Sequence, residues 1–217
     1  MSRVITYNTA TKAGVLSYLG AGEKLTAEQH RVLGMVRERA EAAQENLDAQ
    51  GLDWGCRYRR RSTISSRDVR TRPRSTRLGA YARALQCVID MNGSDPCDLG
   101  VYSKPATFFL AVDEELRRAG VGEDLLLYPH VFSGPPAEIP FFFPHAVDGP
   151  HIGMFPLDKA KPAADAYRAV VDSVAPDFRD EVGRFASVFE SEHSEWEYAT
   201  KAIDWYDQDT IFFSITG

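Results

Sequence analysis

Two histidines and an aspartate stand at regular spacing in the segment FFFPHAVDGPHIGMFP, residues 141–156. His145, Asp148 and His151 form the pattern His-x-x-Asp-x-x-His. An imidazole in a half-buried loop can titrate near neutral pH and act as a general acid or base. A metal site needs three or four ligands converging from fixed elements, and this spacing is not typical of one. We therefore predict no metal site and keep His145 and His151 as candidate catalytic residues.

A third candidate catalytic residue is Glu192. It falls three residues after Phe189 and four before Trp196, on the apolar stripe of the last predicted helix. A carboxylate in that position would be half-buried, and a raised pKa would suit it to acid or base chemistry. A structural ion pair is the alternative. An enzyme built on this chain would use His145, His151 and Glu192 on a small molecule.

Several common catalytic motifs are absent from the sequence. It contains no Walker lysine loop, no Gly-x-Gly-x-x-Gly, no Gly-x-Ser-x-Gly and no His-Glu-x-x-His. These absences disfavour simple nucleotide-dependent and metallohydrolase chemistry. We predict no cofactor.

A basic segment covers residues 57–77. Its nine arginines and one aspartate give a formal charge of +8, in a chain whose net charge is −6. Such a segment can neutralise phosphates, and Tyr58 could stack on a base. Nucleic-acid binding is therefore an alternative function, with the candidate contacts Arg57, Arg59, Arg60, Arg61, Arg67, Arg70, Arg72, Arg74 and Arg77. The segment could equally lie on the protein's own acidic helix or remain a solvated loop.

The opposite charge is concentrated near the end of the chain. Residues 177–209 hold ten acidic residues against Arg179, Arg184 and Lys201, a net charge of −7. Complementary charge accelerates association with a basic partner. The predicted partner-binding residues are Glu190, Glu195, Glu197 and Asp204.

The elements that must position these residues predict an α+β fold. SRVITYNTA and TIFFSITG are typical of strands and lie at the two ends of mostly helical sequence, so we expect them to share one small sheet. We predict a single domain over residues 1–217, with the arginine-rich loop or arm, 57–77, inserted within it.

Helices are predicted between these strands. Thr26 and Gln29 form a capping-box pattern at the start of one helix, and Pro105 begins another that ends at Gly120. Further helices are predicted over 158–174 and along the stripe from Val182 to Tyr206. DLLLYPHVF is predicted to be a short strand or extended piece, and residues 141–156 a proline-rich connection whose phenylalanines cover the core.

The N-terminal sequence has neither the pattern of a signal peptide nor an apolar run long enough to span a bilayer. Three cysteines without close spacing do not form a disulfide framework. We therefore expect a soluble, cytoplasmic protein that does not associate with membranes.

The run from VFSGPP to YRAV, residues 131–170, resembles a stretch shared by YfbM-like proteins and related uncharacterised actinobacterial proteins. Ile152-Gly153 and Leu157-Asp158 occupy the places of that pattern, and the ending KAIDWYDQDTIFFSITG also fits it. The resemblance implies a compact α+β domain with no established activity. Domains of this kind are associated with bacterial conflict systems, in which immunity proteins neutralise toxins.

The leading prediction is a non-catalytic protein that binds a macromolecular partner, as an immunity or regulatory factor. Nucleic-acid binding through Arg57 to Arg77 is the first alternative. A small-molecule enzyme is the second.

Overall fold

The computed structural model describes residues 2–19, 25–50, 84–139 and 151–216. Its strands are β1 (Ser2–Ala10), β2 (Cys97–Ser103), β3 (His151–Pro156) and β4 (Thr210–Thr216). Its helices are α1 (Lys12–Ser17), α2 (Ala27–Ala49), α3 (residues 84–92), α4 (Pro105–Arg118), α5 (Tyr128–Val131), α6 (Ala160–Val170) and α7 (Pro176–Ala202). Short 3-10 turns occupy Glu123–Leu125, Leu157–Lys159 and Val171–Ser173.

The four strands form one antiparallel sheet in the order β2-β1-β4-β3. β1 and β4 are its central pair, in register from Val4 opposite Thr216 to Ala10 opposite Thr210. The prediction of an α+β fold whose first and last strands share a small sheet is therefore confirmed.

One face of the sheet carries the larger core. Ile5, Ile211, Phe213 and Ile215 alternate along the central strands and pack with the buried faces of α4, α6 and α7. Successive side chains of a strand point to opposite faces, so these alternate positions all meet the same helices. Aromatic rings dominate the contact, as in the edge-to-face pair of Phe109 and Phe185 with centroids 5.5 Å apart.

The other face carries a smaller core. Ala10, Phe212 and Ile152 point to this side and form a cluster with side chains of α1 and α3, among them Val15, Leu85, Val88 and Ile89. β4 is buried from Thr210 to Ile215 because it is central and covered on both faces. The sheet thus lies between two layers of helices.

Two predicted helix starts, those at Thr26 and Pro105, are confirmed, whereas the helices predicted over 158–174 and from Val182 begin at Ala160 and Pro176. The backbone N–H of Thr26 donates to Gln29 Oε1 at 2.8 Å, and the N–H of Gln29 donates to Thr26 Oγ1 at 3.2 Å. This is the reciprocal capping box. Pro105 opens α4 in its first turn, and Gly120 follows the helix with φ +95°, a conformation suited to glycine.

The prediction of a strand over DLLLYPHVF is wrong. This segment forms the turn Glu123–Leu125 and the helix α5. The carboxylate of Asp113, on α4, accepts hydrogen bonds from the backbone N–H groups of Leu127 and Tyr128 at 2.8 and 2.9 Å. A side chain of another helix thus satisfies the N–H groups at the start of α5, which favours a helical turn.

The interpretation of residues 141–156 as a connection is wrong for its last six residues. His151–Pro156 is strand β3, hydrogen-bonded to β4. Residues 140–150 lie outside the described residues, and so does the segment 57–77 that was predicted to be an inserted loop or arm. β2 is a strand that the sequence analysis did not predict.

Side chains of the α5 region bind the backbone groups of Met154, on the open edge of β3. His130 Nδ1 lies 3.2 Å from the Met154 carbonyl oxygen, and Ser133 Oγ accepts from the Met154 N–H at 3.1 Å. His130 Nε2 lies 3.1 Å from the Asp124 carbonyl oxygen. An edge strand otherwise presents unpaired backbone groups that can template association, and here two side chains occupy those of Met154.

Within the described ranges, no helix combines the length and apolar character needed to cross a bilayer.

Candidate functional site

The most unusual surface feature is the turn that follows α7. The Ile203 N–H donates to the Ala199 carbonyl at 2.9 Å, and the Tyr206 N–H donates to the Ile203 carbonyl at 3.1 Å. Asp204 and Trp205 are therefore the two central residues of a β-turn. Trp205 is 80% exposed, although tryptophan is highly buried on average.

The segment directly after this turn, residues 207–209, is anchored to the end of β1 and the start of α1. The Thr11 hydroxyl donates to Asp207 Oδ1 at 2.5 Å, and the Lys12 N–H donates to Asp209 Oδ1 at 2.8 Å. Gln208 Oε1 accepts from the Thr9 hydroxyl at 2.5 Å. These contacts hold the chain between α7 and β4 on three successive residues, so Trp205 is displayed by an anchored segment.

A second exposed aromatic residue lies on α7 itself. Tyr198 is 74% exposed. At 100° per residue it falls opposite Phe189, which is fully buried in the larger core. The apolar stripe of the helix therefore faces the sheet, and the Tyr198 ring faces solvent.

The acidic side chains of this region differ in whether they are neutralised. Glu190 forms an ion pair with Arg168, and Glu197 Oε1 lies 2.8 Å from Lys201 Nζ. The salt bridge to Lys201 lowers the pKa of Glu197. Glu195 and Asp204 are exposed, and neither forms a salt bridge with another described residue.

We call Glu195, Tyr198, Asp204 and Trp205 the acidic aromatic end. It combines two exposed rings with two carboxylates that are not neutralised by described residues. Two of the four predicted partner-binding residues, Glu195 and Asp204, belong to it.

Glu192 lies beside this surface, half-buried against β1. The Tyr7 hydroxyl donates a hydrogen bond to its carboxylate. Burial, with the charge of Glu195, raises the pKa of Glu192, while the Tyr7 hydrogen bond opposes the rise. Burial and the neighbouring Glu192 raise the pKa of Tyr7, and the Cys97 thiol lies beside the same hydroxyl. Tyr7 and Cys97 are direct cross-strand neighbours of β1 and β2.

The structure separates His151 from Glu192. His151, on β3, pairs with Ile215 of β4. Its ring faces that of Phe132, with the two centroids 6.3 Å apart. Tyr7, which contacts Glu192, is on β1, two strands away from β3 in the sheet. The backbones of β1 and β3 are therefore roughly 10 Å apart. His145 and the nine arginines of the arm lie outside the described residues, so their predicted roles stay predictions.

In the part of the chain that the structure describes, no three His, Cys, Asp or Glu side chains are grouped so that they could hold a metal ion.

Tyr7, Tyr198 and Trp205 were not predicted as site residues from the sequence. Tyr198 could have been found, because it is an aromatic residue on the polar side of a clear helical stripe. Trp205 could not, because Ile203 and Tyr206 continue the same spacing and hide the end of the helix at Ala202. Tyr7 was assigned only to a strand.

The fold and this surface define an α+β protein with an acidic, aromatic helix end. Residues 1–214 match the family model described as "Domain of unknown function (DUF7691)", and the chain belongs to that family. No curated protein and no solved structure gives a significant match to the chain.

Proposed function

We propose that this protein is a non-catalytic binding protein that recognises a protein partner through the acidic aromatic end. The observation that carries the proposal is Trp205, exposed at the tip of a turn whose following residues, 207–209, are anchored to Thr9, Thr11 and Lys12. Tryptophan and tyrosine are enriched among the residues that dominate binding energy at interfaces. Trp205 is exposed and contributes nothing to the core, so its ring is free to contribute to binding.

The anchoring of the turn favours binding for a second reason. The ordering of loops and side chains on association makes the free energy of binding less favourable. This cost is smaller for a segment that is already ordered before binding. Thr9, Thr11 and Lys12 hold residues 207–209 in place. The backbone near Trp205 therefore requires little further ordering when a partner binds.

An immunity or regulatory role is the finer form of this proposal. It draws on the resemblance of residues 131–170 to YfbM-like proteins. The family match over residues 1–214 is to a domain of unknown function and does not support that resemblance. A factor that neutralises another protein needs a preformed surface and fast association, and exposed carboxylates around an anchored ring provide both. The nucleic-acid and enzyme alternatives stay predictions.

Affinity capture from the native lysate tests the proposal. The wild-type protein, the double variant Y198A/W205A and the control V101A are immobilised at low ionic strength, and retained proteins are identified. Val101 is 70% exposed on the edge strand β2, so V101A removes exposed apolar surface elsewhere.

We expect one discrete protein to be retained by the wild type and V101A and lost with Y198A/W205A. Retention of the same proteins by all three would contradict the proposal. So would a wild-type column that retains only nucleic acid.

A further inference from the structure

We propose that the acidic aromatic end binds an arginine- or lysine-bearing segment of the partner, with cationic side chains lying on the Trp205 and Tyr198 rings. This inference rests on the proposed function and specifies the chemistry of the partner. It follows from the pairing of rings with carboxylates on this surface.

Each exposed ring has an acidic neighbour that lacks a cation among the described residues. Glu195 and Tyr198 are three residues apart on α7, a spacing that places two side chains on the same helix surface. Asp204 and Trp205 are adjacent at the tip of the turn. The surface thus presents a ring and a carboxylate together at two places.

Several other acidic residues of α7 are neutralised or buried within the chain. Glu190 and Glu197 are neutralised by Arg168 and Lys201 of the same chain. Glu181 is buried beneath Tyr102. Asp177 and Asp180, near the start of α7, are exposed and form no salt bridge with a described residue either, but Tyr198 and Trp205 are at the other end of the helix and just beyond it. The unpaired carboxylates that accompany the exposed rings are therefore Glu195 and Asp204.

A cationic side chain satisfies both halves of this arrangement. Arginine or lysine over the face of tryptophan or tyrosine is attracted by the ring, most strongly by tryptophan. The same cation can hydrogen-bond to a carboxylate, which arginine does in a bidentate manner. A phosphate or an acidic segment would be repelled by Glu195 and Asp204, so the surface disfavours nucleic acid.

The test uses synthetic peptides and the full chain. The probe is a capped peptide of four Arg-Gly-Ser repeats, and its control has glutamine in place of each arginine. Binding is measured by calorimetry at low and high salt for the wild type and for W205A, E195Q/D204N, E114Q and V101A. Glu114 is an exposed carboxylate on α4, so E114Q changes the net charge away from the site. Circular dichroism checks that each variant is folded.

We expect W205A and E195Q/D204N each to weaken arginine-peptide binding by about tenfold, which is about 1.4 kcal/mol. E114Q and V101A should bind like the wild type, and the glutamine peptide should not bind. High salt should weaken binding to the wild type more than to E195Q/D204N, because screening acts on charges the variant no longer has.

Four results would overturn the inference. W205A could bind as tightly as the wild type, or the glutamine peptide could bind equally well. R59Q/R60Q/R61Q could bind the peptide tenfold more tightly than the wild type, which would make the chain's own arm the occupant. W205A could change the oligomeric state, which would make a second copy the occupant.

The two proposals fail separately. Loss of a captured protein with Y198A/W205A, without any binding of the arginine peptide, would leave the proposed function standing and overturn the cationic partner. Peptide binding that depends on Trp205, without any captured protein, would support the cation-binding surface and count against the proposed function.

Discussion

Gly153 lies directly beneath the carbonyl oxygen of Val131, so that a Cβ atom at residue 153 would stand 2.1 Å from that oxygen. The His130 carbonyl oxygen would be 2.5 Å from the same atom. Both obstacles are backbone, which cannot turn aside as a flexible side chain can. The close approach of α5 to β3, on which the His130 and Ser133 contacts to Met154 depend, therefore requires glycine.

We expect Gly153→Ala to lower the free energy of unfolding by about 1–3 kcal/mol or more, since backbone must move to admit the methyl group. Urea unfolding followed by circular dichroism measures the change. Gly183→Ala on α7 is the matched control, because nothing lies within 4 Å of its Cβ position. The control should be neutral or gain up to about 1 kcal/mol. Equal effects at the two sites would contradict the steric argument.

The stability of the protein should depend on pH through Asp113. Burial raises the pKa of Asp113 to about 6, although hydrogen bonds from the Leu127 and Tyr128 N–H groups oppose the rise. A carboxyl whose folded pKa exceeds its unfolded value holds more protons in the folded state. The free energy of unfolding from this group therefore falls as the pH rises from about 4 to 6, and is flat above.

Asp113→Asn removes that titration and also loses an acceptor for one of the two N–H groups. We expect lower stability at all pH values and a smaller decrease between pH 4 and 6 than in the wild type. Urea midpoints measured across this range for both proteins check the prediction. Parallel pH profiles would show that Asp113 does not titrate there.

Removal of the Tyr102 hydroxyl should leave a buried carboxylate short of a donor. Tyr102 donates to Glu181 Oε1 at 2.6 Å, and Glu181 is 7% exposed. Burial raises the pKa of Glu181, and the Tyr102 hydrogen bond opposes that rise. Tyr102→Phe should therefore cost about 1–3 kcal/mol at neutral pH.

The loss should shrink at low pH, where Glu181 is protonated and is no longer a buried charge. Tyr198→Phe is the control, because that hydroxyl belongs to an exposed side chain, and it should change stability by less than about 0.5 kcal/mol. Thermal unfolding at pH 4 and pH 7 measures both. A Tyr102→Phe effect as small as the control's would argue against the network.

The environment of Trp205 can be probed without any partner. Exposed carboxylates nearby should concentrate a cationic quencher and repel an anionic one. We expect caesium to quench the fluorescence component that is lost in Trp205→Phe more effectively than iodide does, with the difference vanishing in high salt. Preferential quenching of this component by iodide would show that the surface around Trp205 is not negative.

Features that depend on local residue types or on strand composition could be predicted from the sequence. The capping box of Thr26 and Gln29, the start of α4 at Pro105 and the pairing of the first and last strands all depend on local residue types or on strand composition. α5 could not be predicted, because the group that satisfies its first N–H groups is Asp113, on another helix. β2 could not be predicted because the bulge at Gly100, with φ +144°, interrupts its alternation.

The candidate site was predicted only in its charge. Glu195 and Asp204 were predicted from the concentration of acidic residues, but charge density alone could not separate them from Glu190 and Glu197. For Glu190 the distinction depends on Arg168, which lies on α6 and reaches α7 only in the folded protein. For Glu197 it depends on Lys201, four residues further along the same helix. The exposure of Trp205 depends on where α7 ends, and the aromatic spacing of the sequence concealed that end.

The central position of β1 and β4 has a consequence for how the chain reaches this structure. The strand pair on which both cores assemble joins residues 4–10 to residues 210–216. The ribosome must therefore have synthesised residues 4–210 before the first contact between the two strands can form. Contacts between residues so distant in sequence form slowly, because a long loop must be ordered first. We expect nascent chains that lack β4 to hold neither core, and folding to begin only after Thr216 leaves the exit tunnel.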